Sequence, residues 1–309
     1  MIITTIAGIP PNNNKEDEGE DKKLNNPNGI FIDKEGNLYI ADTENFVIRK
    51  VSPNGKMNII VGKKGNKGYK DGNLTEALIG EVYGLVLDSK GNIYLLNSSI
   101  HVIRKVSNDK VSIFVGKQNE SGFNDGNGSE ARFSNPHGII IDSNDNLFIA
   151  DTDNHIIRKI ESNGNVITIC GNPRKKGFKD GYKENSLFNT PYSLSIDSHG
   201  NIWVGDYYNH CIRKISSNGN VSTPFKHDIF THKPRYSFIS LIYLLIIFRS
   251  ISVNPNGDTI IVIPYSLHII CVLKENSMNI LAGKKDIRGY KDGNIHDSLF
   301  NYPFSNLYF

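Results

Sequence analysis

Apolar residues along the chain gather into short runs separated by clusters of Asp, Asn, Ser and Gly. Between residues 133 and 171 the runs are GIIID, NLFIA, HIIRKI and NVITIC. They are rich in Ile and Val, so they predict four short β-strands, a to d in chain order, joined by turns. DSNDN and ESNGN between them read as tight hairpin turns, where Asn-Gly supplies the positive φ angles that such turns need. The same punctuation recurs as DKEGN (33–37), SPNGK (52–56), DSKGN (88–92), DSHGN (197–201) and SSNGN (216–220).

The whole unit is copied. IADTDNHIIRKI (149–160) returns as IADTENFVIRKV (40–51) and VGDYYNHCIRKI (204–215), and more loosely as LLNSSIHVIRKV (95–106) and VIPYSLHIICVL (262–273). From Arg49 to Arg104, Arg158 and Arg213 the steps are 55, 54 and 55 residues. A fixed period of this size marks a repeat architecture and outranks any local motif. After strand d comes a second repeat: GYKDG (68–72), GFNDG (122–126), GFKDG (177–181) and GYKDG (289–293). Its glycines mark places that side chains would obstruct. Its Asp can bond the backbone two residues on, and its aromatic is expected to plug the space between neighbouring sheets.

All-β, four-stranded antiparallel units of this length predict a single β-propeller over 1–309, with strand a innermost. Four blades are clear at 27–62, 82–116, 136–171 and 191–224. A fifth, 248–283, has Pro264, Leu267, Cys271 and Val272 where blade 4 has Asp206, Asn209, Arg213 and Lys214. IITTIAG (2–8) reads as a strand d, and FNYPFSNLYF (300–309) as the opening of a strand a. The two termini are therefore expected to share an incomplete sixth blade, and its missing b and c strands predict a truncated chain or an imperfect closure.

Read across 26–62, 135–171 and 189–221, the pattern NPxGIxID, GNLYIADTxNHxIRKI and VxTxxG resembles the NHL-repeat family, over nearly the whole chain. The resemblance implies a six-bladed propeller that binds, with protein as the first class of partner. NHL domains also stand behind RING and B-box modules in ubiquitin ligases, where some bind RNA. No Cys/His cluster of that kind occurs here, so a ligase role requires a segment outside this sequence. The amidating lyases resemble NHL propellers and use several metal-binding histidines around the channel, whereas this chain offers one imidazole at the matching column, His137.

Composition changes this picture little. Of 309 residues 38% are hydrophobic and 22% charged, which suits a large soluble core. A net charge of +3 is too small to mark a polyanion-binding protein by itself. Cys170, Cys211 and Cys271 are far apart and odd in number, which argues for a reducing compartment and a cytoplasmic location. The start, MIITTIAGIPPNNN, has no basic n-region, so no signal peptide is expected. FISLIYLLIIF (238–248) is eleven residues long, short of the about 20 that span a bilayer. It reads as a buried strand, a docking insertion or translated intron.

The candidate chemistry separates into repeated and unrepeated residues. His101, His155, His210 and His268 share a column at the start of strand c. With strands about 4.8 Å apart and zinc–nitrogen bonds of about 2.0–2.1 Å, that column cannot share one ion, so no metal is assigned. The Asp column (Asp42, Asp151, Asp206), the Asn column (Asn45, Asn154, Asn209) and the arginines read as scaffold around the b–c turn. Asn28, Tyr83, His137, Tyr192 and Arg249 vary from repeat to repeat where strand a opens, and are candidate ligand residues at the mouth of a central channel. The d–a loops KKGNKGYKDG, RKKGFKDGYKE and KKDIRGYKDG are rich in cations interleaved with aromatics. That combination suits single-stranded RNA, with Lys64, Lys67, Lys175, Lys176 and Arg288 on phosphates and Tyr69 and Phe178 on bases.

No nucleophile–base–orienter set, G-x-S-x-G or phosphate loop is present, so no catalytic residue and no cofactor is assigned. The expected function is a non-catalytic binding scaffold for protein. RNA binding through the basic face and substrate binding for a ubiquitin ligase are the alternatives, and a propeller lyase or lactonase ranks last. Oligomeric state is open.

Overall fold

The structure is a computed structural model describing residues 2–4, 6, 23–173, 175–226, 248–264, 268–274, 277–301 and 303. It begins with β1 (Ile2–Ile3), and the first blade is β2 (Pro27–Ile32), β3 (Leu38–Asp42), β4 (Val47–Val51) and β5 (Met57–Gly62). After β6 (Gly72–Asn73) the second blade is β7 (Gly84–Leu87), β8 (Ile93–Asn97), β9 (Val102–Ser107) and β10 (Lys110–Gly116). After β11 (Gly126–Asn127) the third is β12 (Ile139–Ile141), β13 (Leu147–Asp151), β14 (Ile156–Ile160) and β15 (Asn165–Cys170). After β16 (Gly181–Tyr182) the fourth is β17 (Pro191–Ile196), β18 (Ile202–Asp206), β19 (Cys211–Ile215) and β20 (Asn220–Lys226). The fifth is β21 (Phe248–Val253), β22 (Ile260–Pro264), β23 (Ile270–Lys274) and β24 (Ser277–Ala282), followed by β25 (Gly293–Asn294). The fold is an all-β antiparallel propeller with five blades among the described residues.

The hairpin between the first two strands of a blade follows from one aspartate. Asp33 Oδ1 accepts the N–H groups of Glu35 at 3.1 Å and Asn37 at 2.8 Å, and the Asn37 amide returns to both carboxylate oxygens. Tyr39 OH donates to Oδ2 at 3.2 Å. Asp88, Asp142 and Asp197 repeat this Asx turn with Asn92, Asn146 and Asn201. Gly36, Gly91 and Gly200 supply the positive φ in three of these turns, and Asp145 supplies it in the fourth. Burial raises the Asp33 and Asp197 carboxyls, but the bonds from Asn37 and Asn201, and from Tyr39 and Trp203, outweigh it and hold both below the ordinary value.

The second turn is a single 3-10 turn: Thr43–Asn45, Ser98–Ile100, Thr152–Asn154 and Tyr207–Asn209. A left-handed residue ends each one: Phe46, His101, His155 and His210.

The d–a loop does more than its sequence suggests. Its Gly-Asn or Gly-Tyr pair is a fifth edge strand that closes the outer side of the next blade. Gly72 and Asn73 pair with Val111 and Lys110, and Gly181 and Tyr182 pair with Val221 and Asn220. The sheet orders are β6-β10-β9-β8-β7, β11-β15-β14-β13-β12 and β16-β20-β19-β18-β17, while blades 1 and 5 are four-stranded among the described residues. β25 pairs with β1 in a two-stranded sheet.

The chain divides into two compact units, one of Ile3–Leu147 and Lys159–Ile167, the other of Met1–Ile2, Phe148–Arg158 and Thr168–Phe309. In the former, Tyr39, Ala41, Ile48 and Val61 of blade 1 pack on Ile79, Val82, Leu85 and Leu95. The first strands come so close that a Cβ on Gly29 would lie 2.8 Å from the α-carbon of Gly84. In the latter unit, Trp203 and Ile212 of blade 4 pack on Ile251, Val253, Val262 and Cys271 of blade 5. The Val253 N–H donates to Ser195 Oγ at 3.0 Å across the same seam.

The apolar run 238–248 lies outside the described residues except for Phe248, which pairs with Pro264 as Pro191 pairs with Asp206. The segment 2–8 is described only in part, and of 300–309 only Phe300, Asn301 and Pro303 are described.

Candidate functional site

The repeated side chains are spent on the scaffold. Arg213 is fully buried. Its Nη1 donates to Asp206 Oδ2 at 2.9 Å and to the Leu187 carbonyl at 2.9 Å. Its Nη2 donates to Asp180 Oδ1 at 2.8 Å and to the Lys179 carbonyl at 2.8 Å. Its guanidinium is flanked by the rings of Phe178 and Phe188 at 5.0 and 4.9 Å. Burial pushes the Asp206 carboxyl up to about 6, against the opposing pull of Asn209, the Asn189 N–H and Arg213.

Blade 2 lacks the aspartate of the motif and keeps its arginine. The partner is the GYKDG aspartate: Arg104 donates to Asp71 Oδ1 at 2.6 and 3.0 Å and to the carbonyls of Lys70 and Leu78. The loop aspartate therefore answers an arginine of the next blade, and Asp71 Oδ2 also accepts the Ile113 N–H at 3.0 Å. The expected bond to backbone two residues on gives way to this longer-range pair. Arg49 and Arg158 are held by Asp42 and Asp151 of their own blades at 2.6 and 2.8 Å.

The histidines of the repeat sit at left-handed φ angles, and two of them bond the next blade. His101 Nδ1 accepts the Asn135 N–H, and His155 Nδ1 accepts the Thr190 N–H, each at 3.1 Å. Accepting at Nδ1 requires the neutral ring, and burial lowers the His155 pKa in the same sense. Among the described residues, no group of three or more His, Cys, Asp and Glu is placed to hold a metal ion.

The unrepeated column sits at a distortion. The register of strand a slips between Pro27 and Ile30, between Pro191 and Ser193, and between Phe248 and Ser250, so Asn28, Tyr192 and Arg249 fall at β-bulges. A bulge re-aims the side chain it carries. Asn28 is turned inward, its amide bonding Asn26 O and Thr43 Oγ1 at 3.0 Å each. The Arg249 side chain lies outside the described residues. In the first unit the half-buried rings of Tyr83 and His137 meet at 5.7 Å. In the second, Tyr192 lies 5.4 Å from Tyr207.

The basic loops are partly engaged. Lys67 bonds Glu81 at 2.7 Å, and Tyr69 bonds Ser99 at 2.7 Å while covering Gly80, where a Cβ would lie 2.1 Å from its ring. Tyr69 thus packs on its own loop, whereas Phe178 and Tyr290, the aromatics of two other copies, are 43% and 47% exposed, so the expected plug between sheets is not a property of the whole column. Phe178 is 43% exposed but has Lys226 at 3.9 Å over its ring as well as Arg213. Lys64 is half-buried, and Lys175, Lys176 and Arg288 are exposed.

Sequence reasoning passed over Tyr207 and Tyr208. Their signal was DYYNH in place of DTDNH, a change inside the motif that looked most constant. Tyr208 is 58% exposed and meets Tyr207 edge-on at 4.9 Å.

The three cysteines are free and buried. Burial pushes the Cys170 thiol up to about 12 and the Cys271 thiol up to about 11, so neither is a nucleophile at neutral pH. Among the described residues no helix is long and apolar enough to cross a membrane.

With this geometry in place, comparison with known proteins is specific about family and broad about role. The NHL repeat matches residues 133–160 and 188–215, within blades 3 and 4. The chain is 27% identical over 213 residues to Protein SUPPRESSOR OF QUENCHING 1, chloroplastic, of Arabidopsis thaliana, covering 63% of this chain and 20% of that protein. It is 26% identical to NHL repeat-containing protein 2 of Gallus gallus (70% and 34% covered) and 25% identical to Teneurin-1 of Homo sapiens (63% and 8%). The chain thus spans about a third or less of the length of these relatives. Among solved structures, a nidogen/laminin complex matches with TM-score 0.57 at 14% identity, covering 82% of this chain and 77% of that one. Virginiamycin B lyase from Staphylococcus aureus matches with TM-score 0.52 at 13% identity, covering 82% and 69%. Such distant likenesses speak for the fold alone. Blade architecture, repeat motif and relatives agree that the chain carries NHL repeats.

Proposed function

We propose that the chain is a non-catalytic binding module for protein partners. One observation carries the reading. The side chains that recur from blade to blade are buried in hydrogen bonds and ion pairs, whereas Tyr83, Tyr192, Tyr207 and Tyr208, at positions whose residue varies between blades, stand half-buried or exposed around the b–c turns and the openings of strand a. Rigid aromatic side chains on a fixed scaffold are what interface hot spots are made of. RNA binding is the weaker alternative, because Lys67 is paired with Glu81, Tyr69 with Ser99, and the Phe178 ring is covered by Lys226.

Two finer points belong with this proposal. β25 stands to β1 as β6 stands to β10, which supports a sixth blade with β1 as its outer strand. Three free, buried cysteines suit a cytoplasmic location. The test is selection of random displayed peptides on the purified chain. Enrichment of a shared motif, lost in Tyr83→Ala or Tyr208→Ala, is expected. No enrichment, together with metal-dependent lyase or lactonase turnover abolished by His137→Ala, would overturn the reading.

A further inference from the structure

The b–c turn of blade 4 departs from its own repeat. In the turns of blades 1 to 3 the position after the Asp or Asn is a small hydroxyl that latches the next blade. Thr43 donates to the Val82 carbonyl at 2.8 Å, Ser98 to the Pro136 carbonyl, and Thr152 to the Pro191 carbonyl at 2.9 Å. Blade 4 has Tyr207 there, and Tyr208 follows. These two replacements turn a polar latch into an aromatic corner. Tyr207 lies 5.4 Å from Tyr192 with the rings 33° apart, and 4.9 Å from Tyr208 with the rings at 88°. Backbone bonds fix the corner: Tyr207 N–H to Thr190 O at 3.2 Å and Tyr208 N–H to Asn189 O at 3.1 Å. Next to it lies the cationic loop, tied to the same turn by the Asn209 amide on the Gly177 carbonyl at 2.8 Å. That loop, NPRKKGFK, has four cations and no acid before Asp180, which is already paired with Arg213.

We propose that Tyr192, Tyr207 and Tyr208 form a docking corner for a proline-containing extended peptide with acidic flanking residues. This rests on the protein-binding reading above and names the class of partner. Two rings that meet edge to face present apolar surfaces at a right angle, against which a pyrrolidine ring would pack, and aromatic-lined grooves recognise preformed polyproline segments at small entropic cost. Lys175 and Lys176, exposed beside the corner, select acidic flanks by charge complementarity. A single-stranded nucleic acid fits less well. Successive bases stack on parallel, open faces, and here one pair of rings is edge-on while Phe178, the aromatic of the cationic loop, is capped by Lys226 at 3.9 Å.

The test is titration calorimetry on the full chain with four probes: a pentaproline peptide flanked by glutamates, the same peptide with alanines for prolines, the pentaproline flanked by lysines, and oligo(U). Saturable binding of the glutamate-flanked proline peptide is expected, weaker by at least about tenfold for the alanine and lysine-flanked peptides. Tyr208→Ala should weaken it by about the same factor with an unchanged Tm. The double variant Lys175→Gln, Lys176→Gln should weaken it and flatten its salt dependence. Equal binding of the alanine peptide, no loss in Tyr208→Ala, oligo(U) binding in place of peptide, or no saturation by about 1 mM peptide each overturns the proposal. If the display selection returns motifs without proline that ignore Tyr208→Ala, the corner assignment fails and protein binding stands. No enrichment of any peptide overturns the corner assignment, and joined with the His137-dependent lyase or lactonase turnover named above it removes both.

Discussion

Arg213 is buried with a carboxylate on each side, and such a group stabilises only while its counter-charges remain. Arg213→Met would leave Asp206 fully buried and short of its cation, and its carboxyl, already pushed up to about 6 by burial, would be driven further toward the neutral form. Breaking a buried pair from one side costs about 3–5 kcal/mol, so urea denaturation should show a loss of that order. His155 makes a separate prediction through pH. Burial lowers its folded-state pKa below the ordinary 6.5, and the ring accepts the Thr190 N–H in its neutral form. The unfolded chain therefore binds a proton first as pH falls. His155 contributes stability that is complete above about 6.5 and is lost as pH drops through its folded pKa. Asn tolerates the left-handed backbone and its side-chain oxygen can accept the same bond, so His155→Asn isolates the effect. The stability difference, wild type minus variant, should fall between pH 7.5 and 5.5 in denaturant titrations, and a difference that holds constant contradicts it. Asp33 and Asp197, held below the ordinary value, add a second loss in the same direction only in more acidic solution.

At the scale of elements, the 3-10 turn is the joint between blades. Thr152→Val keeps the shape and removes the hydroxyl bonded to the Pro191 and Ala150 carbonyls. A carbonyl left unanswered in a buried seam costs about 1–3 kcal/mol, and thermal unfolding should report that loss. Gly80→Ala tests the plug: the left-handed backbone alone costs about 1–2 kcal/mol, and the new Cβ would also displace the Tyr69 ring. Near-UV circular dichroism should change along with stability. The strands and hairpins were legible in the sequence because their causes are local: an Asx turn needs only Asp33 and Asn37, four residues apart. The edge strands were not, since two residues such as Gly72 and Asn73 have no strand propensity and are held by the partner Val111. The arginine's second partner was hidden for a related reason. Asp71 lies 33 residues before Arg104, outside any window that displays the motif. Of the candidate site, the variable column was visible as variation, but the inward turn of Asn28 and the corner at Tyr207 and Tyr208 depend on bulges and ring angles that no single repeat reveals.

At the scale of the whole molecule, repetition divides the labour. Residues that recur make one blade fit the next, and residues that break the pattern are free to differ in chemistry. Within each antiparallel sheet the a–b turns lie at one end of the strands, and the b–c turns and d–a loops at the other. Recognition belongs, on the proposal above, to the second end. Hydrogen–deuterium exchange, with and without a peptide enriched by selection, tests this most directly. New protection is expected at 175–178, 189–193 and 206–210, with the Asx turns at 33–37, 88–92 and 197–201 unchanged. Protection centred on those Asx turns, or none at 206–210, would contradict it.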